Sequence, residues 1–162
     1  YNLDEDPGET KDLKEAFPQK FNYLKSLYRN WFKDVMSNVL TNPGPPDIII
    51  DPVHENPSVL TWQDRVADHW SAGSNGHWVL DFSKTNRFDV QVDTPGDTAP
   101  KKDSDLILTI GETSYHQSIK AGTTSSQFLS INVPAGPKVL RAELVSTDGS
   151  IQGAYQVRLT ER

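Results

Sequence analysis

The residues of this chain best equipped to meet a ligand stand close together in the sequence: Trp62, Asp68, His69, Trp70 and Asn75. An indole face buries the C–H surface of a sugar ring, while neighbouring carboxylate, imidazole and amide groups hydrogen-bond its hydroxyls. Trp70, with Asp68, His69 and Asn75, falls between strand-like segments, where binding residues are commonly carried. A loop Trp that merely caps a β-sandwich has the same signature, and both readings stand at this point. Tyr115 is a further aromatic candidate, whereas Trp78 alternates with Leu80 and Phe82 and is expected in the core.

Other chemistries lack their spacing. Ser74 has Ala72 two residues before it, so the Gly-x-Ser-x-Gly elbow of a nucleophilic serine is missing. His54, His69, His77 and His116 show neither the His-x-x-x-His nor the His-Glu-x-x-His spacing of a helical zinc site. The run Asp4-Glu5-Asp6-Pro7-Gly8-Glu9 lacks the Asp-x-Asp-x-Asp-Gly order of a calcium loop and reads as a charged turn. His54-Glu55 and Asp68-His69 are single loop pairs that likewise read more readily as solvated turns than as sites. Without Cys there is neither a disulfide framework nor a thiolate metal site. The sequence therefore assigns no catalytic residue, no metal ligand and no cofactor to this chain.

The elements that must position the aromatic cluster follow from composition and periodicity. With 162 residues, 35% hydrophobic and 23% charged, the chain suits one domain, or one domain with an appendage. Six acidic side chains against two lysines leave a net charge of -4 in the first fifteen residues, out of -6 overall. The remainder is nearly neutral and has no basic run, which argues against a nucleic-acid partner. Apolar runs such as Ile48-Ile49-Ile50 fall far short of a spanning helix, so no membrane partner is expected. The opening at Tyr1, with no leader-like segment, reads as the start of a piece of something longer.

Phe17, Phe21, Leu24, Tyr28, Trp31, Val35 and Val39 recur at gaps of three and four, which predicts a helix from about 18 to 40. Pro18 suits its first position, and Asn42-Pro43-Gly44-Pro45-Pro46 ends it. Such a stripe needs a surface to lie against. Beyond the break the pattern becomes short alternating segments: Asp47 to Asp51, His77 to Phe82, Arg87 to Asp93, Asp105 to Ile110, Ser114 to Ile119, Phe128 to Val133, Lys138 to Val145 and Ala154 to Thr160. The inward sets of the last three are Leu129/Ile131/Val133, Leu140/Ala142/Leu144 and Tyr155/Val157/Leu159. Asp148-Gly149 signals a hairpin, and 94–103 reads as a polar surface loop. The expected fold is mainly β, an antiparallel β-sandwich of jelly-roll type preceded by one long amphipathic α-helix.

The first thirteen residues, Tyr1-Asn2-Leu3-Asp4-Glu5-Asp6-Pro7-Gly8-Glu9-Thr10-Lys11-Asp12-Leu13, resemble a segment near the C-terminal end of the catalytic region of sulfatases in the alkaline-phosphatase superfamily. There the pattern is Y-[DN]-L-x-x-D-P-x-E-x-x-[ND]-L, a strand and turn followed by a helix that opens at a Pro, as Phe17-Pro18-Gln19 does here. Leu60-Thr61-Trp62-Gln63-Asp64, Asn75-Gly76-His77-Trp78-Val79-Leu80 and Gly153-Ala154-Tyr155-Gln156-Val157 resemble the extra β domain of some bacterial arylsulfatase-like proteins. The resemblance implies three parts: 1–41 as the tail of a catalytic region, 42–46 as a Pro/Gly linker and 47–162 as a C-terminal β-sandwich domain. It implies a parent hydrolase of sulfate esters with a calcium ion, placed in the periplasm or outside the cell.

The C/S-x-P/A-x-R nucleophile motif of that family is missing here, so the chain alone is expected to be inactive. On this resemblance the expected role is a non-catalytic C-terminal domain whose partner is the catalytic sulfatase domain of the same polypeptide. The alternative is a carbohydrate-binding β-sandwich module directed at a polysaccharide. Lys101-Lys102 is the only adjacent basic pair, which is thin support for a polyanionic ligand.

Overall fold

The computed structural model describes residues 1–162 except 42–45, 68 and 70, together with the side chains of 38–41. The chain divides into two compact units, Tyr1–Gly44 and Pro45–Arg162.

The first unit holds one helix, α1 (Pro18–Thr41), where the periodicity puts it. Its start is continuous with the preceding turn, since the Phe17 N–H donates to the Leu13 carbonyl and the Phe21 N–H to the Phe17 carbonyl. The acidic opening is a turn organised by Asp6, whose carboxylate accepts from the Thr10 N–H (3.1 Å), the Thr10 hydroxyl (2.9 Å) and the Lys11 N–H (2.8 Å). These bonds stabilise the ionised form and hold the Asp6 carboxyl below the usual carboxylate range. The strand that the sulfatase resemblance implies here is not formed among the described residues of 1–17. A strand needs a neighbouring sheet edge for its N–H and C=O groups, and Asp6 claims two of these N–H groups for a turn instead.

The second unit is mainly β. Its strands are β1 (Ile48–Ile50), β2 (Ser58–Thr61), β3 (Trp78–Phe82), β4 (Asn86–Asp93), β5 (Ser104–Ile110), β6 (Thr113–Ile119), β7 (Ser125–Val133), β8 (Gly136–Ser146), β9 (Ile151–Gly153) and β10 (Gln156–Glu161). One sheet runs β1-β3-β8-β5-β6, with β9 also paired to β8, and the other runs β2-β10-β4-β7. All pairs are antiparallel except β1 with β3. The architecture is a β-sandwich of jelly-roll type. Alternation of apolar and polar residues along each strand sends one set inward, and Trp78, Leu80, Phe82, Val90, Leu108, Leu140, Leu144 and Val157 lie between the sheets at 2% exposure or less. Phe82 meets Phe88 edge to face, with ring centroids 5.4 Å apart.

Three local expectations are corrected. Leu129 does not point inward with Ile131 and Val133; it is 61% exposed. The pairing of β4 with β7 shifts between Phe88 and Val90, and Ser130 takes a positive φ of 55° while its N–H donates to Asp89 Oδ1. That bulge inserts one residue and turns Phe128, not Leu129, onto the core. Second, β2 and β9 are strands of four and three residues whose pattern is too short to stand out in the sequence. Third, the 94–103 segment is not wholly a surface loop. Thr94 and Thr98 are buried, the Thr94 hydroxyl donates to the Thr123 carbonyl (3.0 Å), and the Gln152 amide donates to the Thr98 carbonyl.

Candidate ligand-binding surface

The loop that carries the aromatic cluster is built around a buried arginine. Thr61 ends β2 and caps a short 3₁₀ turn, Trp62–Asp64. The Asp64 carboxylate accepts from the Thr61 N–H (2.9 Å) and hydroxyl (2.8 Å), and the Gln63 N–H donates to the Thr61 hydroxyl oxygen. Arg65 follows at 4% exposure. Its guanidinium donates to the Ala154 carbonyl (2.9 Å), the Ser71 carbonyl (3.3 Å) and the Ser74 hydroxyl (3.2 Å), and lies 5.5 Å from the centre of the Trp78 ring. Burial pulls its pKa down, but a guanidinium starts so high that it stays charged. The Trp78 indole N–H is satisfied by the Thr61 carbonyl at 2.8 Å.

Space around this arginine leaves room only for hydrogen at two positions. A Cβ on Gly76 would meet the Val66 carbonyl, the Arg65 side chain and Ala67; a Cβ on Gly153 would meet the Ser74 carbonyl and the Arg65 guanidinium. The Val66 N–H donates to the His77 carbonyl and the His77 N–H to the Val66 carbonyl, closing the loop as a bridge. The 66–77 loop is thus held to the sandwich at both ends.

That anchoring extends the outer face of one sheet. In β8, Arg141, Glu143 and Val145 alternate with the buried Leu140, Ala142 and Leu144 and so face outward. The β5 register sets Thr109 beside Arg141, Ile107 beside Glu143 and Asp105 beside Val145; β6 adds Ser114, His116 and Ser118 in the same rows. On the other side of β8, strand β3 pairs Trp78 with Leu140, so His77 and Asn75 continue the line toward Arg141 and Glu143. The Asn75 amide donates to Glu143 Oε1 at 2.8 Å, which fixes that continuation. The result is a shallow polar depression of about 290 Å³ lined by Val66, Ala67, Asn75, Gly76, His77 and Arg141.

The charged groups here are Arg141 on the lining of the depression and Glu143 beside it, held through Asn75. Arg141 is exposed and, among the described residues, makes no ion pair. His77 is pushed below the ordinary imidazole value, first by burial and then by the Arg141 charge, so it sits there as neutral imidazole at neutral pH. A neutral imidazole donates at one nitrogen and accepts at the other, Arg141 only donates, Glu143 only accepts, and Asn75 can do both. Such a set matches groups that both donate and accept, as hydroxyls do.

Of the residues singled out from sequence, Asn75 belongs to this surface. Trp62 is half-buried at the 3₁₀ turn, its backbone N–H donating to the Tyr155 carbonyl at 2.9 Å, and His69 is exposed, its carbonyl accepting from the Ser71 N–H. Asp68 and Trp70 lie outside the described residues. Tyr115 faces inward against Phe128 across the sandwich rather than outward, because it alternates with His116 on β6. Arg141, Glu143 and His77 were not picked out from sequence. Their outward orientation was readable in the alternation, but their meeting with Asn75 depends on register.

No family model matches the chain, and no curated protein matches it. Among solved structures it is similar to a Podospora anserina GH26-CBM35 β-(1,4)-mannanase, at 11% identity, over 66% of this chain and 28% of that one, with a TM-score of 0.46. It is also similar to a ruminal GH26 endo-β-1,4-mannanase, at 7% identity over 67% of this chain and 26% of that one, TM-score 0.48. A third is the CBM35 from Cellvibrio japonicus Abf62, at 13% identity over 64% of this chain and 92% of that one, TM-score 0.45. The chain thus spans about a quarter of the length of the two mannanases. These findings correct the sulfatase resemblance: neither a family model nor a curated relative carries it, and these structural neighbours are mannanases and a CBM35 carbohydrate-binding module. Nothing in these comparisons supports the sulfatase catalytic domain as a partner or the hydrolase assignment. No helix among the described residues is long and apolar enough to cross a membrane.

Proposed function

We propose that the β unit is a carbohydrate-binding module, and that the depression between the 66–77 loop and β8 receives sugar hydroxyls. The observation that carries this reading is the alignment of neutral His77 and Asn75 with Arg141 and Glu143 on an anchored, outward-facing surface. Polysaccharide is then the partner, and a periplasmic or extracellular setting follows because such polymers lie outside the cytoplasm. Attachment to a catalytic domain acting on the same polymer is the natural use of such a module. A carbohydrate-binding module is also what one of the similar structures is, but the likeness is distant and the reading rests on the side chains.

Isothermal titration of the full chain with soluble neutral polysaccharides, mannans, xylans and β-glucans among them, tests the proposal. Saturable binding is expected to at least one polymer. Replacing Arg141→Ala or Glu143→Gln should weaken it by about tenfold or more, the loss of one or two charge-assisted hydrogen bonds. Absence of binding to every polymer, or binding that neither variant changes, would overturn the assignment.

A further inference from the structure

A second depression of about 290 Å³ opens on the same sheet, lined by Asp103, Asp105, Ser118, Lys120, Val145 and Ser146 among others. Asp105 and Ser118 are neighbours in the β5–β6 register, and the Ser118 hydroxyl donates to Asp105 Oδ1 at 2.7 Å. Lys120 pairs with Asp103 at 2.8 Å, and the Ala121 N–H donates to the other Asp103 oxygen. This depression meets β8 at Val145 and the first meets it at Arg141, four residues away on the same outward face. At about 3.4 Å per residue the two are about 14 Å apart, wider than one sugar ring. Between them lies the row Glu143, Ile107 and His116, an apolar side chain flanked by two polar ones.

From this geometry we infer that the outer face of the β1-β3-β8-β5-β6 sheet is a track for an extended, neutral polysaccharide chain, held along its length at two separated depressions. The inference rests on the carbohydrate-binding reading and adds to it the form of the ligand. Charge argues for a neutral polymer. Across the track Arg141 and Lys120 stand against Glu143, Asp103 and Asp105, which leaves a net charge of -1 and no cationic stripe for a polyanion. Shape argues for an extended chain over a chain end, since both depressions are open to solvent.

The test is titration of the full chain with a length series of the neutral oligosaccharide whose polymer binds best. Affinity should rise on the order of tenfold from the disaccharide to a chain long enough to reach both depressions, then level off. The double variant Asp105→Asn with Lys120→Ala should remove that gain and leave the disaccharide affinity as it is, which also shows that the variant is folded. Affinity already complete at a disaccharide, or a double variant that weakens all lengths alike or none, would overturn the track while leaving the carbohydrate-binding reading in place. Failure of every length and every polymer to bind would overturn both. Preference for an anionic polymer over its neutral counterpart would overturn the charge argument.

Discussion

Both units of this chain carry apolar side chains at regular spacing, and among the described residues only the sandwich buries most of what it carries. In α1, Phe21, Leu24, Tyr28, Trp31 and Val35 stay between 41% and 57% exposed, whereas Leu80, Val90, Leu108, Leu140 and Val157 of the sandwich are at 0%. Periodicity decides which side chains share a face, and burial needs a second face to meet it. The sandwich supplies its own, because each sheet is the other's cover. Along the helix, Tyr28 meets Trp31 (5.7 Å) and Phe32 (5.9 Å), and Lys25 lies over the Phe21 ring (5.4 Å). Pairs of this kind are worth roughly 0.2–0.5 kcal/mol each, far less than the roughly 1.5–3 kcal/mol of burying one large apolar side chain.

The sharpest way to break this contrast is to truncate a tryptophan in each unit. Trp78→Ala should cost about 3–5 kcal/mol, since it opens a cavity in the core, removes the ring beside Arg65 and frees the Thr61 carbonyl. Trp31→Ala should leave the unfolding of the sandwich within about 0.5 kcal/mol of its starting value. Urea denaturation followed by the strand signal in circular dichroism compares them, and equal shifts would mean that the two units share one cooperative core.

A glycine in each unit extends the comparison to the backbone. Gly153→Ala should destabilise by about 1–3 kcal/mol, because its methyl group meets the Ser74 carbonyl and the Arg65 guanidinium, neither of which can retreat without breaking the loop anchor. Gly8→Ala places its methyl 3.6 Å from the Thr10 side chain, an ordinary contact, and should be neutral within about 0.5 kcal/mol. Thermal unfolding of the two variants would separate packing that excludes a methyl from packing that ignores it.

How far the sequence reaches can be read from individual residues. The helix, the hairpin at Gly149 and the inward set Leu140, Ala142 and Leu144 follow from local periodicity and turn chemistry, and so were legible. Leu129 was misassigned because a bulge changes the phase of alternation, and the bulge is held by Asp89, forty-one residues away in sequence. The surface was half legible for the same reason. Asn75 was singled out, but Arg141 and Glu143 join it only through a strand pairing that no local pattern encodes. A fair check on this account is the pair Leu129→Ser and Ile131→Ala. The first should be neutral within about 0.5 kcal/mol and the second should cost about 2–5 kcal/mol, as urea midpoints would show. Equal costs would place Leu129 back in the core.

The smallest expected effect separates the units by pH. Every histidine of the chain lies in the sandwich unit, and His77 is held below its ordinary value of 6.5 by burial and by Arg141. A depressed imidazole pKa means that the unfolded chain takes up a proton before the folded one does. The contribution is therefore fully present above pH 6.5 and is lost as the pH falls from there toward the folded value. The depressed carboxyls of Asp6 and Asp12 in the helical unit work in a different window. Their contribution is present above the ordinary 3.8 and is lost only below it. Between pH 7.5 and 5 the urea midpoint of the sandwich should fall slightly, His77→Gln should flatten that part of the slope, and the helical signal should not respond. A midpoint that keeps the same slope in His77→Gln would show that the titration comes from elsewhere in the sandwich. A helical signal that follows the midpoint would tie the two units together through a proton neither the periodicity nor the turns of α1 account for.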